Sequence, residues 1–110
     1  MTWRAQGFRA WLWQRLTALV LAVGIVYFGV ALLVAPPQSY EGWRQWLAAP
    51  VRSLALLLVF YALLLHGWIG IRDVVIDYIR PFSLRFSVLV LVALALLMMA
   101  AWVARTVLTI

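Results

Sequence analysis

Residues 66–78 read His-Gly-Trp-Ile-Gly-Ile-Arg-Asp-Val-Val-Ile-Asp-Tyr and close a long apolar run. They hold the only histidine of the chain and both of its aspartates. At about 100° per residue in an α-helix, His66, Asp73 and Asp77 fall on one face. Gly70 flanks that face, and small residues let another helix or a flat ligand approach the backbone closely. The stretch therefore predicts a helix that carries its acid–base groups on one side.

The composition of the chain is that of an integral membrane protein. Of its 110 residues, 68% are hydrophobic and 11% are charged, and the mean hydropathy is +1.07. A water-soluble domain of this size cannot bury so much apolar surface, because about a third of its residues would face water. Typical soluble domains carry roughly 25% charged residues.

The charged and polar residues exclude several classes of function. The net charge of +6 comes from nine arginines and no lysine. In a membrane protein such charge indicates how the chain is oriented in the bilayer and that it contacts anionic lipid headgroups, and it does not indicate nucleic-acid binding. The absence of cysteine from the sequence excludes disulfides, thiol chemistry and iron–sulfur ligation by this chain. One histidine and three acidic residues are too few for a metal site with three or four protein ligands.

Three apolar runs predict three transmembrane helices. A run of twenty residues rises about 30 Å as a helix, which matches the hydrocarbon thickness of a bilayer. The fold class is all-α: a three-transmembrane-helix bundle that forms a single domain over 1–110. The predicted spans are approximately 16–35, 51–71 and 84–108.

The segments between the runs contain helix breakers. Pro36 and Pro37 end the first helix, and 38–50 is expected to form a polar loop with a short amphipathic turn. The second helix is expected to continue past the bilayer core to Tyr78 and to end before Pro81. Residues 72–83 thus form a cytoplasmic connection that carries the end of the stretch 66–78, which we call the motif.

The distribution of arginines predicts the orientation in the membrane. Six arginines flank one side of the predicted bilayer and three flank the other. Cytoplasmic flanks carry the excess of positive charge, so the N-terminus and the motif end are predicted to be cytoplasmic and the C-terminus periplasmic. The first side carries Arg4, Arg9, Arg15, Arg72, Arg80 and Arg85, and the second carries Arg44, Arg52 and Arg105.

The first fifteen residues interleave arginine with tryptophan, which is typical of a segment at headgroup depth. Arg15 ends this segment and has two interpretations. It is a topogenic anchor, or it also meets a bound anion.

His66 has two interpretations as well. Placing a histidine within the membrane costs free energy, so such a residue is first considered as part of a functional site. It packs against a neighbouring helix with its ring bonded to a carbonyl, or it is an axial ligand of haem iron. As a single histidine it supplies one axial ligand, and a second would come from another chain.

Asp77 and Tyr78 lie about three helical turns beyond His66. A tyrosine hydroxyl can donate a hydrogen bond to a quinone oxygen, and a nearby carboxylate can supply the proton that quinone reduction needs. The alternative is an interfacial anchor next to a solvated helix end. Arg72, Asp73 and Arg80 are expected to form a solvated cluster of salt bridges.

The motif resembles that of the hydrophobic membrane-anchor subunits of bacterial succinate dehydrogenase, the D-type anchors of respiratory complex II. His66-Gly-Trp-Ile-Gly70, followed by Asp77-Tyr78, carries the resemblance. It extends over most of the chain, with Arg15-Leu-Thr-Ala opening the first span and the motif closing the second. The charged pair Arg72-Asp73 departs from relatives that are uncharged there.

The resemblance implies the roles of individual residues. His66 would be an axial ligand of a b-type haem shared with the cytochrome b membrane subunit, which supplies the other histidine. Tyr78 would hydrogen-bond ubiquinone, the substrate, with Asp77 supporting the site. Arg15 would lie near the haem propionates.

The resemblance also implies the setting of the chain. The partners would be a cytochrome b subunit, an iron–sulfur subunit, a flavoprotein subunit and membrane lipids, in the bacterial inner membrane. Electrons would pass from succinate to ubiquinone, linking the tricarboxylic acid cycle to the respiratory chain. The sequence has no flavin or cluster motif, so the chain alone would not catalyse succinate oxidation. The rival hypothesis is a self-associating small transporter or scaffold in which His66 and the aspartates relay protons.

Overall fold

The computed structural model describes the backbone of residues 2–110 and the side chains of residues 7–110. It contains four helices: α1 (Thr2–Val34), α2 (Tyr40–Ala48), α3 (Pro50–Tyr78) and α4 (Phe82–Leu108). The three long ones are the expected spans. They are apolar and long enough to cross a membrane over Gly7–Val34, Pro50–Tyr78 and Phe82–Leu108. The protein is thus an all-helical, multi-pass membrane protein, as the sequence predicts.

The helix ends follow from local sequence. Helix α1 ends just before Pro36 and Pro37, because proline lacks the N–H that would continue a helix. The Ser39 hydroxyl caps α2 by accepting a hydrogen bond from the Gly42 N–H at 3.0 Å. Pro50 occupies the first turn of α3, where a missing N–H costs nothing.

The structure extends two of the predicted elements. The segment expected at headgroup depth continues the first span, and α1 has 33 residues, about 50 Å at 1.5 Å per residue. The surface turn expected in 38–50 is a nine-residue helix, α2. As predicted, α3 continues through residues 72–78. The connection between α3 and α4 is therefore limited to residues 79–81.

Helix α3 is the centre of the fold, because α1 and α4 both pack on it. The α1–α3 pair runs antiparallel. Gly24 lies against Val59 near one end, and Thr17 meets His66 further along. On the other side of α3, the Tyr61 hydroxyl donates to the Ala100 carbonyl oxygen of α4 at 3.3 Å.

A glycine allows α1 and α3 to approach closely. A Cβ atom at Gly24 would overlap the Cγ2 atom of Val59. Val59 is β-branched and has little rotameric freedom in a helix, so a larger residue at Gly24 would push the helices apart. This contact therefore sets the separation of α1 and α3 in the apolar part of the bundle.

The bundle has very little interior of its own. Among the side chains of residues 7–110, the buried apolar ones are Ile69, Val75 and Val107, and Thr17 is the buried polar one. Most other apolar side chains are exposed, including Leu33 and Met98. Lipid or other membrane subunits must cover these surfaces, because apolar side chains at this density do not face water.

Candidate functional site

His66 lies on α3 and faces α1, where its Nδ1 atom is 3.2 Å from the Thr17 hydroxyl oxygen. Thr17 is 4% exposed. Its hydroxyl donates to the Trp13 carbonyl oxygen at 2.8 Å and also lies 3.1 Å from the Gln14 carbonyl oxygen. Because a hydroxyl has one proton and that proton goes to a carbonyl, the oxygen is left to accept from the Nδ1–H of His66.

This hydrogen bond assigns the tautomer of His66. In the neutral ring with its proton on Nδ1, the other ring nitrogen, Nε2, carries a lone pair and can accept a hydrogen bond or bind a metal. His66 is half-buried, so its ring is not enclosed by the chain. The imidazole is thus held through Nδ1, and Nε2 has no hydrogen-bond partner among the described residues.

The neighbouring face of α3 is open. An added Cβ at Gly67 would meet nothing within 4 Å. Exposed apolar side chains lie on this side of α3, about 60–140° round the helix from His66: Phe60, Leu63, Ile71, Val74 and Tyr78. We call this surface the open face of α3. It lies between the sides of α3 that contact α1 and α4, and it has room for a helix or a flat ligand beside His66.

Asp77 and Tyr78 are the last two residues of α3. Because α3 is unbroken from Pro50 to Tyr78, the helical spacing that predicts their positions applies throughout. Asp77 is on the same side as His66, about 17 Å further along the axis. Tyr78 is 80% exposed and belongs to the open face. Among residues 7–110, neither side chain makes a hydrogen bond or an ion pair with another.

Two charged residues of the motif form an exposed ion pair. An Nη atom of Arg72 lies 3.3 Å from Asp73 Oδ1, and the side chains are 37% and 55% exposed. Arg80 does not join them within the described side chains, so the expected three-residue cluster is limited to this pair. Its position after the end of α3 takes its side chain out of the helical register of the other two. A pair this exposed contributes about 0–1 kcal/mol.

Two enclosed polar atoms lie on the same stretch of α1 and α3. Gln14 Oε1 and Arg72 Nε are buried and have no hydrogen-bond partner among the described residues. The Gln14 amide nitrogen would be 3.7 Å from a Cβ added at Gly70. The sequence interpretation did not single out Gln14. A buried acceptor and a buried donor without partners can take a bound water or ligand.

Arg15 is placed away from His66. It lies about 160° round α1 from Thr17, on the side away from α3. Its guanidinium carbon lies 5.3 Å from the centroid of the Trp11 ring, a cation–π contact. The structure brings His66 together with Thr17, a residue whose role the sequence interpretation missed. The available signal was a threonine near the start of the charge-free run 16–35.

Comparison with known proteins gives the family of the chain. Residues 2–104 match the family model described as "Succinate dehydrogenase/Fumarate reductase transmembrane subunit". A succinate dehydrogenase hydrophobic membrane anchor subunit of Coxiella burnetii is 33% identical over 97 residues, which are 88% of this chain and 84% of that protein. The protein with the same name from Rickettsia conorii is 32% identical over 89 residues, 80% of this chain and 71% of that protein. With its three apolar helices and the His66…Asp77-Tyr78 motif on the central one, the chain belongs to the family of succinate dehydrogenase/fumarate reductase transmembrane subunits and is similar to the hydrophobic membrane anchor subunits within it.

Proposed function

We propose that the chain anchors a succinate dehydrogenase in the bacterial inner membrane and contributes to its haem and ubiquinone sites. The observation that carries the proposal is the arrangement at His66. Thr17 holds one ring nitrogen, the other has no hydrogen-bond partner among the described residues, and the adjacent face of α3 is open. Family membership accounts for the three spans and the motif together, which the rival hypothesis of a free-standing transporter or scaffold does not.

His66 fits an axial ligand of b-type haem. A haem ligand needs a lone pair on one imidazole nitrogen and is held by a donor bond from the other, and the Thr17 hydroxyl oxygen supplies the acceptor for that bond. When bound, the haem supplies a one-electron redox centre beside the path to the quinone. The second axial histidine would come from the cytochrome b subunit, since this chain has one histidine.

The open face of α3 is the surface on which that subunit would pack. It is apolar, it borders His66, and the absence of a side chain at Gly67 lets a second helix or the haem edge approach the backbone. The assignment of Arg15 to the haem propionates comes from the family resemblance. It requires a propionate to reach the side of α1 that faces away from α3.

Tyr78 and Asp77 would serve the quinone. Tyr78 is exposed and its hydroxyl has no hydrogen-bond partner among the described residues, so it can donate to a quinone oxygen; its position at the end of a span-length helix supports a site near the membrane surface. Asp77 is adjacent and exposed, so it can take protons from water and pass them on. Succinate oxidation itself would take place in the flavoprotein and iron–sulfur subunits, docked on the cytoplasmic face.

The test is to purify the complex through a tag on this chain and to record its redox difference spectrum. The proposal predicts that flavoprotein, iron–sulfur and cytochrome b subunits co-purify and that a low-spin b-type haem is present. His66→Ala should remove one axial ligand and alter or abolish that signal. An unchanged spectrum in a fully assembled His66→Ala complex would rule out ligation by His66.

A further inference from the structure

We propose that Thr17 is a positioning residue for His66: its hydroxyl holds the imidazole by Nδ1, so that Nε2 points to the haem iron. The inference rests on the proposed function of His66 as a haem ligand. Thr17 would touch neither the haem nor the quinone. It would act through the histidine by setting its tautomer and the angle of its ring.

The contact joins two helices and is buried on its Thr17 side. Thr17 belongs to α1 and is 4% exposed, and His66 belongs to α3. In a membrane interior an N–H group with no acceptor is unfavourable, because neither lipid nor water replaces the lost hydrogen bond. The threonine oxygen, 3.2 Å away, is the acceptor that the chain provides for Nδ1–H.

The direction of the hydrogen bonds supports this role. The Thr17 hydroxyl lies 2.8 Å from the Trp13 carbonyl oxygen and 3.2 Å from His66 Nδ1. The shorter contact has a group that can only accept, so the hydroxyl proton goes there and the hydroxyl oxygen faces the imidazole as an acceptor. If the hydroxyl donated to Nδ1 instead, Nε2 would carry the ring proton and could not bind iron.

The ring angle is set by the same contact. The β-branched side chain of Thr17 has few rotamers, and its bond to Trp13 selects one in which the oxygen lies over the helix turn before it. The distance between α1 and α3 is held nearby by Gly24 against Val59. A rigid acceptor at a set distance restricts rotation of the imidazole about its χ2 torsion. Groups that hold the second nitrogen of a ligating histidine tune the bound metal in this way.

The experiment compares Thr17→Val with Thr17→Ser in the purified complex. Valine keeps the branched shape and removes the hydroxyl, whereas serine keeps the hydroxyl and removes the methyl group. The measurements are haem content, the low-spin electron paramagnetic resonance spectrum and the haem midpoint potential. None of them is an enzyme activity.

The expected result is a shift in Thr17→Val and values close to wild type in Thr17→Ser. Without the bond from Nδ1–H the imidazole donates less electron density to iron, so the midpoint potential should rise. The resonance lines should move or broaden, because the ring is no longer held at one angle. Equal shifts in the two variants would overturn the inference, since that result assigns Thr17 to packing.

His66→Ala separates this inference from the proposed function. If His66→Ala loses the low-spin signal while Thr17→Val is unchanged in all three measurements, His66 is a ligand and the role of Thr17 is refuted. If the assembled His66→Ala complex keeps its wild-type spectrum, ligation by His66 fails and the role of Thr17 fails with it. Should Thr17→Val not assemble, Thr17→Ala replaces it. Failure of both with Thr17→Ser intact would also overturn the inference, because the hydroxyl would then be needed for assembly.

Discussion

Gly67 and Tyr78 lie on the same side of α3, about three helical turns apart. An added Cβ at Gly67 would meet nothing within 4 Å, and Tyr78 is 80% exposed. His66 borders the same surface. A partner that covers the open face of α3 would therefore contact both the surroundings of the histidine and the tyrosine at the membrane surface, which connects the proposed haem and quinone sites.

A large side chain at Gly67 should weaken the association with the neighbouring membrane subunit. In Gly67→Leu the new side chain projects from the open face, and a helix packed there must move away. Overpacking of this kind costs about 1–3 kcal/mol, so roughly tenfold less cytochrome b subunit should co-purify after a detergent wash. Haem content should fall in parallel.

Gly29→Leu is the matched control. It adds the same volume to α1, where an added Cβ also meets nothing within 4 Å. Its complex should retain the cytochrome b subunit. Equal retention in the two variants would contradict the assignment of the open face.

Tyr78→Phe should weaken quinone binding without affecting assembly. The ring and its packing remain while the donor is lost, and one neutral hydrogen bond contributes about 0.5–1.5 kcal/mol. The quinone KM should rise about two- to tenfold, and kcat should also fall if the bond strengthens as charge develops on the quinone oxygen. Succinate oxidation with a dye that accepts electrons upstream of the quinone should be unchanged. Wild-type quinone kinetics in Tyr78→Phe would show that Tyr78 is only an interfacial anchor.

Asp77→Asn should mainly affect proton delivery. The amide keeps the shape of the carboxylate but cannot exchange a proton, so succinate–quinone turnover should fall and its pH dependence should change, with the quinone KM little altered. Dye reduction again serves as the control. If dye and quinone activities fall together, Asp77 acts in assembly and its role at the quinone site is wrong.

Gly24→Ala should destabilise the complex, because its methyl group would overlap Val59 Cγ2. The expected cost is about 1–3 kcal/mol, seen as a lower midpoint of thermal inactivation in detergent. Val59→Ala removes the clashing atoms, so the double variant should recover much of the loss. Additive effects of the two substitutions would show that the two residues are not coupled.

The orientation can be tested with a reporter fused to the C-terminus. The six-to-three division of arginines predicts a cytoplasmic N-terminus and, after three spans, a periplasmic C-terminus. Alkaline phosphatase is active only outside the cytoplasm and should be active in this fusion, whereas a fluorescent protein that folds only in the cytoplasm should stay dark. The reverse pattern would contradict the predicted orientation.

The sequence by itself determined the class of the protein, its three long helices and most of their ends. A membrane span is a continuous apolar run of the sequence, and Pro36, Pro37 and Pro81 end helices through their effect on neighbouring residues. Both features can therefore be predicted from short stretches of sequence. The continuation of α3 through Asp77 to Tyr78 follows in the same way. The spacing of His66, Asp77 and Tyr78 also sufficed to indicate the family.

The tertiary structure alone decided which residues meet. That His66 contacts Thr17, that Arg15 faces away from α3, and that α3 lies between α1 and α4 depend on the rotation of each helix about its axis. In a soluble protein a polar side opposite an apolar side reveals that rotation. A membrane span is apolar on the side that packs and on the side that faces lipid, so the pattern carries no such signal. Small details of shape, such as Gly24 against Val59, set the rotation instead, and they act only once the helices are together.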